Sequence, residues 1–295
     1  GSDDAVCSDQ PTYTVTGTTS SNGTIAWSSS SAGVFTNGTT DNPIYTINAT
    51  DITNGSVTLT KTVSSAGCSD AVSSMVLTVT PAPTADAGLA ASTCEDASYL
   101  VSDAVVTNSG GILWTHDGNG FLTNATSTTP TYTPVALDGG TTVTLTLTVT
   151  GLGSCVAAVS TKALTITAGP IADAGSDDAV CSDQPTYTVT GTTSSNGTIA
   201  WSSSSAGVFT NGTTDNPIYT INATDITNGS VTLTKTVSSA GCSDAVSSMV
   251  LTVTPAPTAD AGLAASTCED AAYLVSDAVV TNSGGSLWTH DGNGI

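Results

Sequence analysis

The sequence predicts an all-β protein built of tandem β-sandwich domains, and three observations lead to this prediction. Long runs alternate apolar and polar residues, as in TVTLTLTVT at 142–150, which is the period-two pattern of a strand with one buried face. No stretch shows the 3.6-residue apolar period of a helix, and Leu, Glu, Lys and Arg are scarce. A segment of 87 residues repeats along the chain, and that length suits a small sandwich.

The repeat has two levels. Residues 1–121 recur at 175–295, a shift of 174, with three differences: Ser98 against Ala272, Ile112 against Ser286, and Phe121 against Ile295. The tetrapeptide Ala-Asp-Ala-Gly begins at residues 85, 172 and 259, so a diverged 87-residue repeat lies inside the longer one. The predicted organisation is unit A (1–87), unit B (88–174), a second unit A (175–261) and an incomplete second unit B (262–295). We expect these residues to belong to a longer repetitive protein, or the last unit to be completed by another molecule.

Unit A shows the strand pattern most clearly. Alternating runs predict strands at 5–7, 12–18, 24–28, 33–36, 43–48, 56–64 and 71–80. Asn-Gly pairs at Asn22, Asn37 and Asn54 predict turns, because both residue types tolerate a positive φ. Seven short strands separated by turn signals are typical of an immunoglobulin-like sandwich.

Aromatic residues recur at matched positions, which is the behaviour of core residues. We predict a core containing Trp27, Trp114, Trp201, Trp288, Tyr45, Tyr132 and Tyr219. Three lysines occupy inward registers unexpectedly. Lys61 and Lys235 stand where unit B has Leu147, and Lys162 stands where unit A has Met75. Such lysines are expected to extend along the sandwich until the ammonium reaches its end.

The connector between units A and B reads Pro-Ala-Pro-Thr at 81–84. Two prolines in four residues predict a short, stiff and extended segment. Successive sandwiches are therefore expected to follow one another end to end, as in a rod or filament.

The chain has seven cysteines, and their spacing follows the repeat. Three pairs are each separated by 61 residues: Cys7 and Cys68, Cys94 and Cys155, Cys181 and Cys242. One disulfide within each unit is the prediction, with the partner of Cys268 beyond residue 295. Metal or redox use is the alternative, but no Cys-x-x-Cys occurs and only two His are present. Disulfides imply an oxidising compartment, hence an extracellular protein.

Composition excludes several classes of partner. The chain carries 3 Lys or Arg against 24 Asp or Glu, for a formal net charge of −21. No basic surface is available to neutralise nucleic-acid phosphates or anionic lipid headgroups. No apolar run approaches the ~20 residues of a membrane helix, so direct membrane insertion is not expected.

Each unit shows one order of motifs: Ala-Asp-Ala-Gly, a first Cys, Trp followed by Gly and Phe, Pro-x-Tyr-Thr, an Asp, Val-Thr-Leu-Thr and a second Cys. In unit A these residues are Trp27, Gly33, Phe35, the run 43–46 and Asp51. In unit B they are Trp114, Gly120, Phe121, the run 130–133 and Asp138. This order resembles the Ig-like or PKD-like repeats of giant secreted surface proteins of Bacteroidetes, the group that contains gliding-motility adhesins and other type IX secretion cargo. The resemblance implies a secreted or surface-tethered fibre, stalk or adhesin on the bacterial cell surface.

Catalysis finds few candidate residues. Unit B has one His, His116, beside Asp117, unit A has none, and no triad or phosphate-binding loop is visible. A non-enzymatic protein without cofactors is the prediction. Calcium is the alternative to consider, because acidic residues cluster where units meet and carboxylates are hard oxygen ligands. The candidate ligands are Asp3, Asp4, Asp86, Asp173, Asp177, Asp178 and Asp260. Turn formation and solubility are the favoured explanation of these residues, since no complete calcium-binding loop is visible.

The function predicted from the sequence is a structural extracellular fibre or an adhesin stalk, with other copies of the chain as partners through lateral or end-to-end association. A polysaccharide-binding surface module is the first alternative, with Tyr99 and Tyr273 as platforms for surface glycans. A spacer region of a larger secreted enzyme is the second alternative.

Overall fold

The computed structural model describes residues 1–292, and its regular secondary structure is almost entirely β-strand, as predicted. The chain divides into two compact parts, Gly1–Ala168 and the residues from Gly169 onward. The first part contains units A and B, and the second contains the second unit A and the beginning of the second unit B. Ile295, which the repeat matches to Phe121, lies outside the described residues.

Unit A is a two-sheet sandwich of seven strands. The larger sheet has the order β1-β7-β6-β3 and the smaller has the order β2-β5-β4. The elements are β1 (Asp4–Cys7), β2 (Thr12–Thr14), β3 (Thr24–Ser29), β4 (Val34–Thr36), β5 (Ile44–Thr46), α1 (Ala49–Asn54), β6 (Ser56–Ser64) and β7 (Ala71–Thr80).

The alternation in β6 and β7 sets the core of unit A. Val57 and Leu59 on β6 are buried, as are Leu77 and Val79 on β7, while the residues between them are more exposed. This is the period-two pattern that places one face of a sheet on the core. The seven strands predicted from the sequence are all present.

The short helix α1 was not predicted. The Asn48 side chain accepts hydrogen bonds from the backbone N–H groups of Thr50 and Asp51, and the backbone N–H of Asn48 donates to the Asp51 carboxylate. This capping box starts the helix, and Gly55 ends it with φ of 73°. The Asn54-Gly55 pair therefore closes a helix rather than a hairpin.

Unit B repeats the sandwich with two additional short strands, which pair with each other. Its sheets have the orders β9-β16-β15-β12 and β10-β14-β13, with β8 paired to β11. The elements are β8 (Thr84–Asp86), β9 (Ala91–Cys94), β10 (Tyr99–Leu100), β11 (Val105–Thr107), β12 (Gly111–His116), β13 (Phe121–Thr123), β14 (Thr131–Thr133), the 3-10 turn Ala136–Asp138, β15 (Thr142–Thr150) and β16 (Ala158–Thr167).

Strand β8 lies before the predicted boundary at 87/88 but packs with unit B. It precedes residue 88, yet it pairs with β11 of unit B. Ala87, which follows it, is fully buried in the core of unit B, and Ala85 packs against the same core. The small Ala side chains of the Ala-Asp-Ala segment therefore pack with the sandwich that follows them.

The second part of the chain repeats these elements. In the second unit A the sheets are β18-β25-β24-β21, β19-β23-β22 and β17-β20, and the second unit B shows the pair β26-β27. The elements are β17 (Ile171–Asp173), β18 (Asp178–Cys181), β19 (Thr186–Thr188), β20 (Thr193–Ser195), β21 (Thr198–Ser203), β22 (Val208–Thr210), β23 (Ile218–Thr220), α2 (Ala223–Asn228), β24 (Ser230–Ser238), β25 (Ala245–Thr254), β26 (Thr258–Asp260) and β27 (Val279–Thr281).

The predicted core aromatics differ in burial. Tyr45, Tyr132 and Tyr219 are fully buried, Trp114 and Trp201 are buried, and Trp27 is half-buried. Trp288 is 56% exposed, so the prediction that it is a core residue is wrong in this structure. Trp114 lies in a strand paired with β15, and the described part of the second unit B contains no strand in that position.

Candidate functional site at the junction of units A and B

The first cysteine of unit A lies at the end of its sheet that faces the connector. Strand β1 runs parallel to β7, with Cys7 opposite Thr80. Cys68 lies beyond the other end of β7, in the turn before Ala71. A strand of that length separates the two cysteines by about 30 Å, whereas a disulfide needs Cα atoms about 4.4–6.8 Å apart. The predicted bond between Cys7 and Cys68 is therefore wrong.

The structure instead joins Cys7 to Cys155 of unit B, with Cα atoms 5.0 Å apart and a sequence separation of 148. Cys155 lies in the turn between β15 and β16, where its N–H donates to the carbonyl of Leu152. Its Sγ lies 3.5 Å from the carbonyl oxygen of Thr80 and 3.7 Å from that of Pro81. The bond thus fastens the end of one sandwich to the hairpin of the next.

The remaining cysteines also depart from the prediction of one bond within each unit. Cys94 does not pair with Cys155, and Cys181 is a half-buried free thiol rather than a partner of Cys242. Cys68 and Cys268 are exposed free thiols, while Cys94 and Cys242 are each disulfide-bonded. The sequence did hold a weaker signal for the observed bond, because a separation of 148 between cysteines occurs twice, whereas 61 occurs three times.

Hydrogen bonds fix the connector beside this disulfide. The backbone N–H of Ala82 donates to the hydroxyl of Ser8 in unit A at 2.8 Å. The side-chain amide of Asn108 in unit B donates to the carbonyl of Ala82, also at 2.8 Å. One connector residue is therefore held from both sides, and the two prolines around it restrict the backbone further. The junction is a braced joint rather than a flexible linker.

A buried ion pair lies in each complete unit. Lys61 pairs with Asp41, Lys162 with Asp103 at 2.7 Å, and Lys235 with Asp215 at 2.6 Å. The lysines are almost fully buried and the aspartates are about 40% exposed, so each ammonium meets its partner where the sandwich opens to solvent. Each ammonium also lies 5.6–5.9 Å from the centre of an aromatic ring, which favours the cation.

In the pair of Lys162 and Asp103, both groups favour their ionised forms. Burial by itself lowers the pKa of the Lys162 ammonium, but its hydrogen bonds to Asp103 outweigh burial and leave the pKa raised. The same contact, together with the N–H of Leu89, holds the pKa of Asp103 below its usual range. Both groups are therefore ionised at neutral pH, so the pair is a structural salt bridge.

A second buried carboxylate explains the Pro-x-Tyr-Thr motif and the Asp that follows it. The Tyr132 hydroxyl donates to Asp138 Oδ2 at 2.8 Å, and the N–H groups of Asn119 and Gly120 donate to the same carboxylate. Burial raises the pKa of Asp138, but these donors outweigh it and leave the pKa lowered. Burial and the contact with Asp138 raise the pKa of Tyr132 to about 12. A Cβ at Gly120 would collide with the Tyr132 ring and the carbonyl of Thr133, which accounts for the glycine.

The aspartates considered for calcium all accept backbone hydrogen bonds. The seven residues and their N–H donors are Asp3 (Val76), Asp4 (Ala5), Asp86 (Gly88), Asp173 (Gly175), Asp177 (Val250), Asp178 (Ala179) and Asp260 (Gly262). Within residues 1–292 none of the seven belongs to a group of three side chains close enough to share an ion. Calcium at these positions stays a prediction.

The candidate catalytic and glycan residues have structural contacts of their own. The His116 ring packs on Tyr132 with centroids 5.0 Å apart, and Asp117 accepts a hydrogen bond from the N–H of Thr144. Tyr99 is half-buried beside Lys162, and Tyr273 is 49% exposed. Among residues 1–292, no helix is both long and apolar enough to cross a lipid bilayer.

The two-sheet units joined in series make this chain a tandem array of immunoglobulin-like β-sandwiches. No family model and no curated protein matches the sequence. Among solved structures, a three-Ig-domain titin variant is similar at 11% identity over 85% of this chain and 95% of that one, with a TM-score of 0.48. Extracellular domains 3–6 of protocadherin gammaB7, solved as a cis-dimer, match at 16% identity over 95% and 81%, with a TM-score of 0.37. Mouse protocadherin-24 domains 1–3 match at 14% identity over 85% and 96%, with a TM-score of 0.42.

Proposed function

We propose that this chain is a structural segment of an extracellular fibre or adhesin stalk, on a bacterial cell surface, with other copies of itself as partners and no catalytic role. The observation that carries the proposal is the Cys7–Cys155 bond, because it joins two consecutive sandwiches rather than stapling one. A covalent bond between two domains lets the chain bear tension and keeps the domains in a fixed orientation. It adds nothing to a binding pocket or a reaction.

Two further features support an extracellular structural role. Structural disulfides persist in oxidising compartments and are rare where thiols are kept reduced. Only 9% of the residues are charged, but nearly all of these are acidic, which gives the net charge of −21. This charge and the many hydroxyl groups favour a hydrated surface with little non-specific association. The connector is braced on both sides at Ala82, which limits bending between units A and B.

Electron microscopy of native material, taken directly from the cell exterior, tests the proposal. We expect ordered filaments whose axial repeat matches one or two units, and we expect reductant to make them visibly more flexible. Isolated beaded strands that end on the cell surface would favour the stalk over the fibre. Compact particles without elongation would contradict both.

A further inference from the structure

The chain contains several Asn-Gly pairs outside its strands, and such a pair can undergo an intramolecular reaction. The backbone nitrogen of the glycine bonds to the side-chain carbonyl carbon of the asparagine, and the amide nitrogen leaves with the glycine proton as ammonia. Water then opens the resulting cyclic imide to give aspartate or isoaspartate. Glycine permits the reaction because no Cβ lies beside the attacking nitrogen. Local structure decides which pairs can reach the reactive geometry.

The turn that follows β4 contains the pair Asn37-Gly38. Asn37 is exposed with φ of 58°, and its backbone carbonyl accepts a hydrogen bond from the N–H of Thr40 at 3.0 Å. Among residues 1–292, neither the Gly38 N–H nor the Asn37 side-chain amide donates to a protein acceptor. The second unit A repeats this turn after β22, at Asn211-Gly212, with the same φ. The attacking nitrogen and the leaving amide are thus both unrestrained in these two turns.

The pair Asn119-Gly120 of unit B has the same two residue types but is held at both reacting groups. The side-chain amide of Asn119 donates to Asp138 Oδ1 at 3.1 Å. The N–H of Gly120 donates to the Tyr132 hydroxyl and to Asp138 Oδ2, each at 3.0 Å. The reaction requires all these hydrogen bonds to break together, so this pair is protected.

The short helices protect two further pairs. Asn54 is the last residue of α1, and the N–H of Gly55 donates to the carbonyl of Ile52 at 3.3 Å. Asn228 is the last residue of α2, in the same sequence. The glycine nitrogen can face the asparagine side chain only after ψ of the asparagine rotates, and that rotation unwinds the end of the helix.

Unit B also contains the Asn37 turn without its glycine. Asn124 follows β13, has φ of 54°, and its carbonyl accepts a hydrogen bond from the N–H of Ser127 at 3.0 Å. The next residue is Ala125, which packs against the core of unit B. A Cβ therefore lies beside the nitrogen that would attack. The comparison of Asn37 with Asn124 isolates the glycine, and the comparison with Asn119 isolates the hydrogen bonds.

We propose that Asn37 and Asn211 are sites of spontaneous modification, at which the folded protein converts asparagine to aspartate or isoaspartate through the cyclic imide. Each conversion replaces a neutral amide by a carboxylate, so the two together change the formal net charge from −21 to −23. The added charge lies in an exposed turn of each unit A. The inference goes beyond the proposed function and holds equally for a fibre and for a stalk.

The test incubates the folded, oxidised full chain at mildly alkaline pH and follows its chymotryptic peptides by mass spectrometry. Chymotrypsin cleaves after aromatic residues, so residues 36–45 form one peptide, identical to residues 210–219 of the second unit A. This peptide should convert roughly ten-fold or more faster than the peptides that contain Asn54, Asn119 or Asn124. Enzymatic methylation of isoaspartate identifies the product. The peptides that contain Asn22 and Asn196 do not enter the comparison.

Two controls separate the fold from the sequence. In the reduced chain in urea, the peptides with Asn54 and Asn119 should convert as fast as residues 36–45, whereas the peptide with Asn124 should stay slow. Gly38→Ala combined with Gly212→Ala should stop conversion of residues 36–45 in the folded chain, with the unfolding midpoint showing that the fold is kept.

Three results would overturn the inference: no conversion of residues 36–45 in the folded chain, equal conversion of the peptides with Asn54 or Asn119, or conversion that survives the two alanine substitutions. Filaments in native material together with any of these results would leave the proposed function standing and reject only the modification.

Discussion

The Cys7–Cys155 bond makes a quantitative mechanical prediction. Handles are attached at residues 1 and 168 of the full chain, which is then stretched with and without the substitution Cys155→Ser. With the bond intact, tension passes from Cys7 directly to Cys155, and the loop between them, with a sequence separation of 148, bears no load. At about 3.4 Å of contour length per residue, the loop contains roughly 500 Å of chain that cannot extend while the bond is intact.

Optical tweezers measure this length directly. Unfolding of the parent should release only the residues outside the loop, whereas Cys155→Ser should lengthen the fully unfolded tether by about 500 Å. Adding reductant to the parent is the second route to the same change. A gain near 210 Å on Cys155→Ser would instead indicate a bond across 61 residues, between Cys94 and Cys155, and would refute the reasoning.

Three further predictions follow from the side chains. Asp103→Asn leaves the buried Lys162 ammonium without its counter-charge. It should lower the free energy of unfolding, measured in urea, by about 1–3 kcal/mol. The loss is smaller than for a fully buried pair because the Asp103 carboxylate is partly exposed. Because folding lowers the pKa of Asp103 from 3.8, the ionised carboxylate stabilises the folded state above about pH 4, and this stabilisation is lost as the pH falls through the pKa of the folded state. An acid titration in which Asp103→Asn and the parent lose stability in parallel would contradict this. Tyr132→Phe removes a donor from the buried Asp138 and should cost about 1–2 kcal/mol of unfolding free energy, whereas no change in the midpoint would show that the other donors suffice. Alkylation under native conditions, followed by peptide mass mapping, should modify the exposed thiols of Cys68 and Cys268 quickly and the half-buried thiol of Cys181 slowly. Labelling of a fourth cysteine would contradict the disulfides described.

The fold was largely predictable because its signals are local. The alternation in 56–64 and 71–80 predicts the two longest strands of unit A, and the structure places them at the same residues. The helix α1 was missed because a six-residue helix is too short to show a period, and its capping box at Asn48 resembles a turn in sequence.

The junction was not predictable in the same way, because its partners are distant in the chain. Cysteine spacings of 61 and 148 both recur in the sequence, and only the parallel pairing of β1 with β7 excludes a bond between Cys7 and Cys68. The pair of Lys162 and Asp103 joins residues 59 apart through a loop of unpredictable path.

The parallel pairing of β1 with β7 also bears on how the chain matures during synthesis. Cys68 leaves the ribosome 87 residues before Cys155, so it is the first partner that Cys7 meets in a nascent chain. Once unit A has folded, its own sheet holds those two thiols about 30 Å apart, at opposite ends of β7. If unit A folds before its thiols are oxidised, Cys7 therefore cannot reach Cys68 and stays available for the hairpin of unit B. The sheet in this way acts as a spacer that selects the bond to Cys155.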